Sequence, residues 1–148
     1  MASNTRFAVA IHTAGMLAST KCLPVSSEII ARSVHTNPVV VRRIIGLLAR
    51  HGLVNVRKGQ GGGATLSRPA EQITLDEIYR AVEDGPVFNV PTLRASHPCK
   101  MGRHVGPVLH SIFATAESGL MDHLRTITLA QVIRTIVREM KQEECGSK

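Results

Sequence analysis

Aromatic side chains are scarce in this chain of 148 residues, which has three phenylalanines, one tyrosine and no tryptophan. Proteins that bind single-stranded nucleic acid commonly stack the bases on aromatic rings. The shortage of rings therefore argues against that class of binder.

Cysteine is also rare, and the three cysteines, Cys22, Cys99 and Cys145, are far apart in the sequence. An odd number at wide spacing argues against a disulfide framework and fits a reducing compartment. Residues 7–17 are largely apolar, but this run falls short of the roughly 18 apolar residues that a membrane span needs. We therefore expect a cytoplasmic protein with no membrane partner.

Motifs for catalysis are missing as well. The serines and histidines show no hydrolase spacing. The glycines of residues 59–63 lie between two predicted strands, whereas a nucleotide-binding glycine motif precedes a helix. We expect neither an enzyme nor a bound cofactor.

What the chain does have is a local excess of positive charge. Residues 21–68 contain eight lysines and arginines and a single acid, Glu28, so this segment carries a surplus of seven, equal to the surplus of the whole chain. A localised basic surface is what a binder of the phosphate backbone needs. A basic face that only keeps the protein soluble is the alternative.

Apolar periodicity predicts an amphipathic helix near the N-terminus. Its predicted buried stripe leaves out Thr13 and contains Phe7, Ala10, Ile11, Ala14, Leu17 and Ala18. Val9 and Met16 fall on the opposite face, where they are either part of a dimer contact or isolated surface residues.

Two helices and a hairpin follow. Ser26 and Ser27 offer a cap for a short helix over residues 28–33, and Asn37 with Pro38 begins a third helix that ends near residue 51. Residues 53–57 and 65–68 are predicted strands, and the glycine-rich loop between them completes a small β-hairpin.

The second half of the chain is predicted to be helical around one long loop. Capping boxes that begin at Thr74 and Thr128 open a fourth and a final helix. Residues 86–104 lack periodicity and are predicted to form a loop, after which a helical pattern resumes at Val105.

The third helix divides into two faces on a helical wheel. One face is aliphatic, with Val41, Ile44, Ile45 and Leu48, and the other carries three arginines, one valine and one glycine. In a helix-turn-helix the second helix enters the major groove, where arginine binds guanine and a small aliphatic side chain packs on a thymine methyl. We expect this face to contact DNA; a plain solvent-facing helix is the alternative.

The residues that we expect to contact double-stranded DNA begin at the second helix, continue along the third and end on the hairpin. Val39, Arg42 and Arg43 are expected to contact base edges, and the others the phosphates or the minor groove. The full set is Ser26, Ser27, Asn37, Val39, Arg42, Arg43, Gly46, Arg50, Arg57, Lys58, Gln60 and Gly61.

Several motifs together resemble the Rrf-two family of bacterial transcriptional regulators, and in particular its YwnA-like branch. They are residues 26–31, 37–44, 52–54, 59–63 and 73–78. The resemblance implies a winged helix-turn-helix, a homodimer built by C-terminal helices, and action as a repressor at a palindromic DNA operator.

The family pattern fails in the loop before the dimerisation helix. The family members IscR and NsrR place three cysteines there, whereas this chain has only Cys99, so we expect no iron–sulfur cluster. His97, Lys100, Arg103 and His104 surround Cys99 in sequence, and neighbouring cations favour a reactive thiolate. A redox switch at Cys99 is one hypothesis and an unreactive thiol is the other; a metal site of Cys99, His97 and His104 would be short of ligands.

The predicted fold is therefore mainly α with a small β-hairpin wing, a winged helix-turn-helix followed by dimerisation helices. We expect a DNA-binding domain over residues 1–84, a sensor loop over 85–104 and dimerisation helices over 105–148. The predicted function is that of a homodimeric transcriptional regulator, with a winged-helix module for protein interaction or RNA binding as the alternative.

Overall fold

The computed structural model describes residues 3–20, 23–90 and 99–146. Three residues that entered the predictions above lie outside these ranges: Lys21, counted in the basic segment, Cys22 and His97. The described chain is mainly helical with one two-stranded hairpin, as predicted. In order, its elements are α1 (Ser3–Ser19), α2 (Ser27–Val34), α3 (Pro38–Arg50), β1 (Val54–Arg57), β2 (Gly63–Leu66), a 3-10 helix (Ala70–Gln72), α4 (Leu75–Val82), α5 (Lys100–Arg125) and α6 (Leu129–Gly146).

The chain packs as two units, of which the first comprises the residues up to Asp84 together with those from Arg125 onward. Aliphatic side chains from α2, α3 and α4 fill its core. Ile30, Ile44, Leu48 and Ile78 are each at most 1% exposed. Burying such side chains is the main stabilising term in a domain of this size.

Helix α1 is covered on more sides than its periodicity predicts. It packs against α2, α3, α4, β2 and α6, so its buried surface is wider than a single stripe. Val9, predicted to face outward, is buried, and so is Thr13, which the prediction left outside the stripe. The prediction that Val9 faces a dimer partner was wrong; Met16 is half-buried.

Side-chain caps fix where four helices begin. The Ser26 hydroxyl accepts a hydrogen bond from the amide of Ile29 at the start of α2. The amide of Thr74 donates to Glu77 before α4, and the amide of Thr128 donates to Gln131 before α6, which confirms both predicted capping boxes. The fourth cap, at Asn37, begins α3 and is described below.

The hairpin begins its second strand two residues before the predicted start. β1 and β2 pair antiparallel, with Val54 opposite Leu66 and Arg57 opposite Gly63. Val25, in the connection between α1 and α2, pairs with β2. Its amide donates to the Ala64 carbonyl at 3.0 Å, and its carbonyl accepts from the Ala64 amide at 2.9 Å. A Cβ on Gly63 would lie 2.6 Å from the Val25 carbonyl oxygen, so only glycine permits this close approach.

The last helix belongs to the first unit. Leu129 and Ala130 of α6 are buried, and the amide of Leu129 donates to the Ile73 carbonyl at 2.8 Å. The two C-terminal helices, predicted as one segment over residues 105–148, thus belong to different units.

The second unit covers residues 85–124 and is built on α5. This helix begins at Lys100, five residues before the predicted start at Val105, and it continues through Pro107. Phe88 contacts this helix, since the rings of Phe88 and Phe113 lie 4.9 Å apart. The amide of Phe88 donates to Glu117 at 3.1 Å.

Candidate nucleic-acid interface

Helix α3 presents the predicted face to solvent. Val39, Arg42, Arg43, Gly46 and Arg50 are all exposed, while the opposite face supplies core residues of the first unit. Val39 is 63% exposed. Exposure of an aliphatic side chain to water is unfavourable, so contact with a binding partner would stabilise it. A Cβ built on Gly46 would meet no heavy atom within 4 Å, so the helix surface is open at its middle.

The turn between α2 and α3 is short and fixed at both ends. His35 adopts a left-handed conformation with φ of 53°, in which its amide bonds back to the carbonyl of Arg32. The side-chain carbonyl of Asn37 accepts a hydrogen bond of 2.8 Å from the amide of Val39. This cap occupies the Asn37 oxygen and sets the direction in which α3 leaves the turn.

Arg42 is tied to the start of α2. Its Nη2 donates to Oε1 of Glu28 at 2.6 Å, and its Nε donates to the hydroxyl of Ser27 at 3.1 Å. The Ser27 hydroxyl in turn donates to the same Glu28 oxygen at 3.2 Å. Arg42, Ser27 and Glu28 thus form a three-membered cluster across the two helices.

The cluster changes the electrostatic state of Glu28. The hydrogen bond from Arg42, together with backbone and serine hydrogen bonds, lowers the pKa of this carboxyl from 4.5 to about 2. Glu28 is therefore ionised at neutral pH. Sequence reasoning noted Glu28 only as the one acid of the basic segment and missed its contact with Arg42, because no spacing rule links residues on different helices.

Other cations of the interface are not paired in this way. Among the described residues, Arg43, Arg50, Arg57 and Lys58 form no ion pair with an acid. Their charge is available to an anionic partner. The structure brings Arg43 and Arg50 onto one helix with Arg42, and it places Arg57 and Lys58 at the tip of the hairpin.

The tip of the hairpin is an exposed loop of residues 58–62 between the two strands. Arg57, Lys58, Gln60 and Gly61 are exposed. Gly59 has φ of 93°, a left-handed conformation that favours glycine, and its carbonyl accepts a hydrogen bond from the amide of Gly62 at 3.0 Å. The loop therefore holds its polar and basic side chains outward on a closed turn.

Cys99 belongs to the second unit and directly precedes α5. Its side chain is exposed, and its carbonyl accepts a hydrogen bond from the amide of Arg103 at 3.2 Å. Lys100, Arg103 and His104 are exposed on the first turns of α5. No group of three or more histidines, cysteines or acids that would suit a metal ion occurs in residues 3–20, 23–90 and 99–146.

The described helices include none with the length and apolar character that a membrane crossing requires.

Comparison with known proteins places the chain among regulators of transcription. The profile of the Rrf2 (Rrf-two) family, described as iron-dependent transcriptional regulators, matches residues 3–135. YwnA of Bacillus subtilis, provisionally named an HTH-type transcriptional regulator, is 35% identical over 130 residues, which span 88% of this chain and 96% of YwnA.

Solved structures of similar proteins have the same fold. A crystal structure of a provisionally assigned DNA-binding protein is 35% identical, with a TM-score of 0.69 and coverage of 86% of this chain and 98% of the other. IscR of T. potens is 22% identical with a TM-score of 0.65, covering 88% of this chain and 85% of its own. At that identity the likeness concerns the fold alone.

An outward basic face on α3, a basic hairpin beside it and a family profile that spans nearly the whole chain agree. The Rrf2 family is one of transcriptional regulators, not of enzymes. This chain belongs to the Rrf2 family and is a DNA-binding transcriptional regulator.

Proposed function

We propose that the protein is a homodimeric repressor that recognises a palindromic operator in double-stranded DNA with α3 and holds the flanking backbone with the hairpin. The observation that carries this proposal is the solvent-facing surface of α3, where three arginines, Val39 and Gly46 stand exposed. Because operators lie on the chromosome, the protein would act in the cytoplasm of a bacterial cell.

Each part of the interface has its own role in this proposal. Val39, Arg42 and Arg43, near the start of α3, contact base edges in the major groove. Gly46 lets the helix approach the DNA closely, and Arg50 contacts a phosphate. The remaining polar groups bind the backbone or the minor groove: Ser26, Ser27, Asn37, Arg57, Lys58, Gln60 and Gly61.

Both serines hydrogen-bond to Glu28. The Ser26 oxygen caps α2, and a hydrogen bond from the Ser26 side chain helps to lower the pKa of Glu28, so this hydroxyl would have to turn before it could donate to a phosphate. The Ser27 hydroxyl donates to Glu28, so it would have to turn away from that carboxylate before it could bind DNA.

Dimerisation is supported by apolar side chains left uncovered in the single chain. Val108 and Ile112, one turn apart on α5, are more than half exposed, and Leu120 of the same helix is exposed as well. In the first unit, α1 and α6 line an apolar groove of about 610 Å³, with Ile136 and Met140 at its exposed side. A second copy related by a two-fold axis would cover such surfaces and set two α3 helices one DNA turn apart.

The donor set does not fit the iron dependence named for the family. The loop before α5 contains one cysteine, Cys99, whereas a cluster held by that loop in the manner of the three-cysteine members needs three thiolates. The described residues offer no other group of three ligands at one place. We therefore assign no step of the function to iron.

A redox signal at Cys99 remains a proposal of its own. The side chain of Cys99 is exposed, and Lys100, Arg103 and His104 follow it on the first turns of α5. A peroxide would oxidise an exposed thiol to a sulfenic acid with release of water. Cys99→Ser should bind the operator as the parent does and keep binding after peroxide treatment. Equal loss of binding by parent and Cys99→Ser would remove Cys99 from the mechanism.

The proposed function is tested by substitutions on α3 and on the hairpin. We expect Arg42→Ala or Arg43→Ala to cost about 1–3 kcal/mol of operator affinity and to relax sequence preference. Lys58→Ala should weaken all duplexes alike and reduce the salt dependence of binding. Gel shifts over a salt series, with duplexes obtained by selection from a randomised library, measure both effects.

Two outcomes would contradict the proposal. If the Arg42→Ala/Arg43→Ala double variant binds the selected duplex as tightly as the parent, α3 is not the recognition helix. If the parent binds RNA or a protein partner but no duplex, the chain is an interaction module of the kind set out as the alternative.

A further inference from the structure

We propose that Glu28 is a positioning residue for DNA recognition, which holds the Arg42 guanidinium so that one pair of its N–H groups points at the bases. This inference rests on the proposed function of α3. Glu28 is the single acid of residues 21–68, so a search for positively charged DNA contacts does not select it.

The geometry of the cluster determines which donors of Arg42 are used. A guanidinium has five N–H groups in a rigid plane. Nε donates to Ser27 and Nη2 donates to Glu28, so the edge of the plane that carries Nε and Nη2 faces α2. The donors left over are on Nη1 and on the second position of Nη2.

The unused donors form the fork at the far end of the side chain. Two parallel N–H groups on Nη1 and Nη2 match the O6 and N7 acceptors of guanine in the major groove. A free arginine has many rotamers and loses their entropy on binding. Arg42 is already held at two atoms, so its fork is directed before the DNA arrives, and less entropy is lost.

The charge of Glu28 otherwise opposes binding. The carboxylate and the guanidinium are both more than half exposed, at 54% and 57% of their side chains, and an exposed acid beside the DNA repels phosphates. The depressed pKa of Glu28 keeps the carboxylate charged in acid solution down to a pH of about 2. A positioning role for this acid therefore predicts a lower affinity for all sequences together with a sharper choice among them.

Arg43 provides the comparison within the same helix. It is exposed on the same face as Arg42, and among the described residues it has no acid to hold it. A side chain without such support adapts to more than one base or to a phosphate. Removal of Glu28 should therefore alter the preference at the base pair that Arg42 contacts and leave the contact of Arg43 unchanged.

The test compares Glu28→Ala and Glu28→Gln with the parent on a randomised duplex library, followed by titration of selected duplexes that carry single base changes. We expect Glu28→Ala to reduce discrimination at one base pair of each half-site by about 10-fold, while affinity for mixed-sequence DNA stays equal or rises. Glu28→Gln, which retains an oxygen acceptor, should keep part of the discrimination. Thermal unfolding should change little, because exposed ion pairs stabilise weakly.

A double-variant cycle and a charge control separate positioning from general electrostatics. In an Arg42→Ala background, Glu28→Ala should have no further effect on discrimination. Glu71→Ala removes an exposed acid from the 3-10 helix, outside the interface, and should leave the sequence preference unchanged.

The outcomes are distinguishable. If Glu28→Ala strengthens binding to all duplexes equally and keeps the parent's preference, Glu28 is only a repulsive charge and the inference is wrong. The same holds if Glu28→Ala changes the preference equally in the Arg42→Ala background. If the parent shows no preference, or if Arg42→Ala keeps it, the assignment of α3 fails and the inference fails with it.

Discussion

Helices α3 and α5 place their aliphatic side chains in opposite surroundings. On α3, Ile44 and Leu48 are almost completely buried, whereas on α5, Val108 and Ile112 are more than half exposed. Helix α3 has thus completed its packing within one chain and offers charge to its surroundings. Helix α5 keeps apolar surface available, which costs solvation free energy until another surface covers it. The contrast is what the proposed function requires, in which α3 contacts DNA and α5 contacts an apolar partner.

The largest effect is expected when a buried side chain of α3 is shortened, so that a cavity forms in the core. Ile44 is 1% exposed, and Ile44→Ala should lower the free energy of unfolding by about 2–4 kcal/mol through lost burial and an unfilled cavity. Urea denaturation measures the loss. The matched control is Val39→Ala on the exposed face of the same helix, which should change stability by less than about 0.5 kcal/mol. Equal losses from the two variants would show that the two faces of α3 are assigned wrongly.

A charge on the apolar face of α5 tests the other side of the comparison. Ile112→Glu should halve the molar mass measured by light scattering and weaken binding to a palindromic operator by about 100-fold, because each monomer would bind only one half-site. Ala114→Glu places the same charge on the opposite side of α5 and should leave both quantities unchanged. If the parent protein is already a monomer at micromolar concentration, the exposed apolar face of α5 is not a dimer interface.

The smallest effect is expected from a buried polar group on α1, whose replacement should change stability only slightly. Thr13 is completely buried on α1, and its hydroxyl oxygen has no hydrogen-bond partner within the part of the chain that the structure describes. Thr13→Val keeps the shape and removes the unsatisfied group, so stability should rise by about 1 kcal/mol. Thermal or urea unfolding gives the change, with Thr115→Val on the exposed surface of α5 as the control. A loss of stability in Thr13→Val would mean that the hydroxyl is satisfied in solution.

Local signals in the sequence predicted much of the fold. Serine, asparagine and the two capping boxes marked the helix starts correctly, since each cap is a hydrogen bond between residues close in sequence. The outward face of α3 was predicted for the same reason, because a helical wheel needs only the helix itself.

Features that depend on contacts between distant residues were missed. The burial of Val9 and Thr13 follows from the number of elements around α1, and periodicity carries no such information. The early start of β2 depends on Val25, which pairs with Ala64 across the α1–α2 connection. The contact of Glu28 with Arg42 joins two helices. Each of these was set by tertiary packing, not by local sequence.

The most direct measurement is a titration of the parent protein with two duplexes, one carrying both selected half-sites and one with a single half-site scrambled. Stoichiometry and affinity are measured together, by calorimetry or by light scattering with gel shifts. We expect a dimer on the intact duplex and a loss of about 100-fold in affinity on the scrambled one. Equal affinity for both duplexes, with a single chain bound to each, would contradict recognition of a palindrome by paired α3 helices.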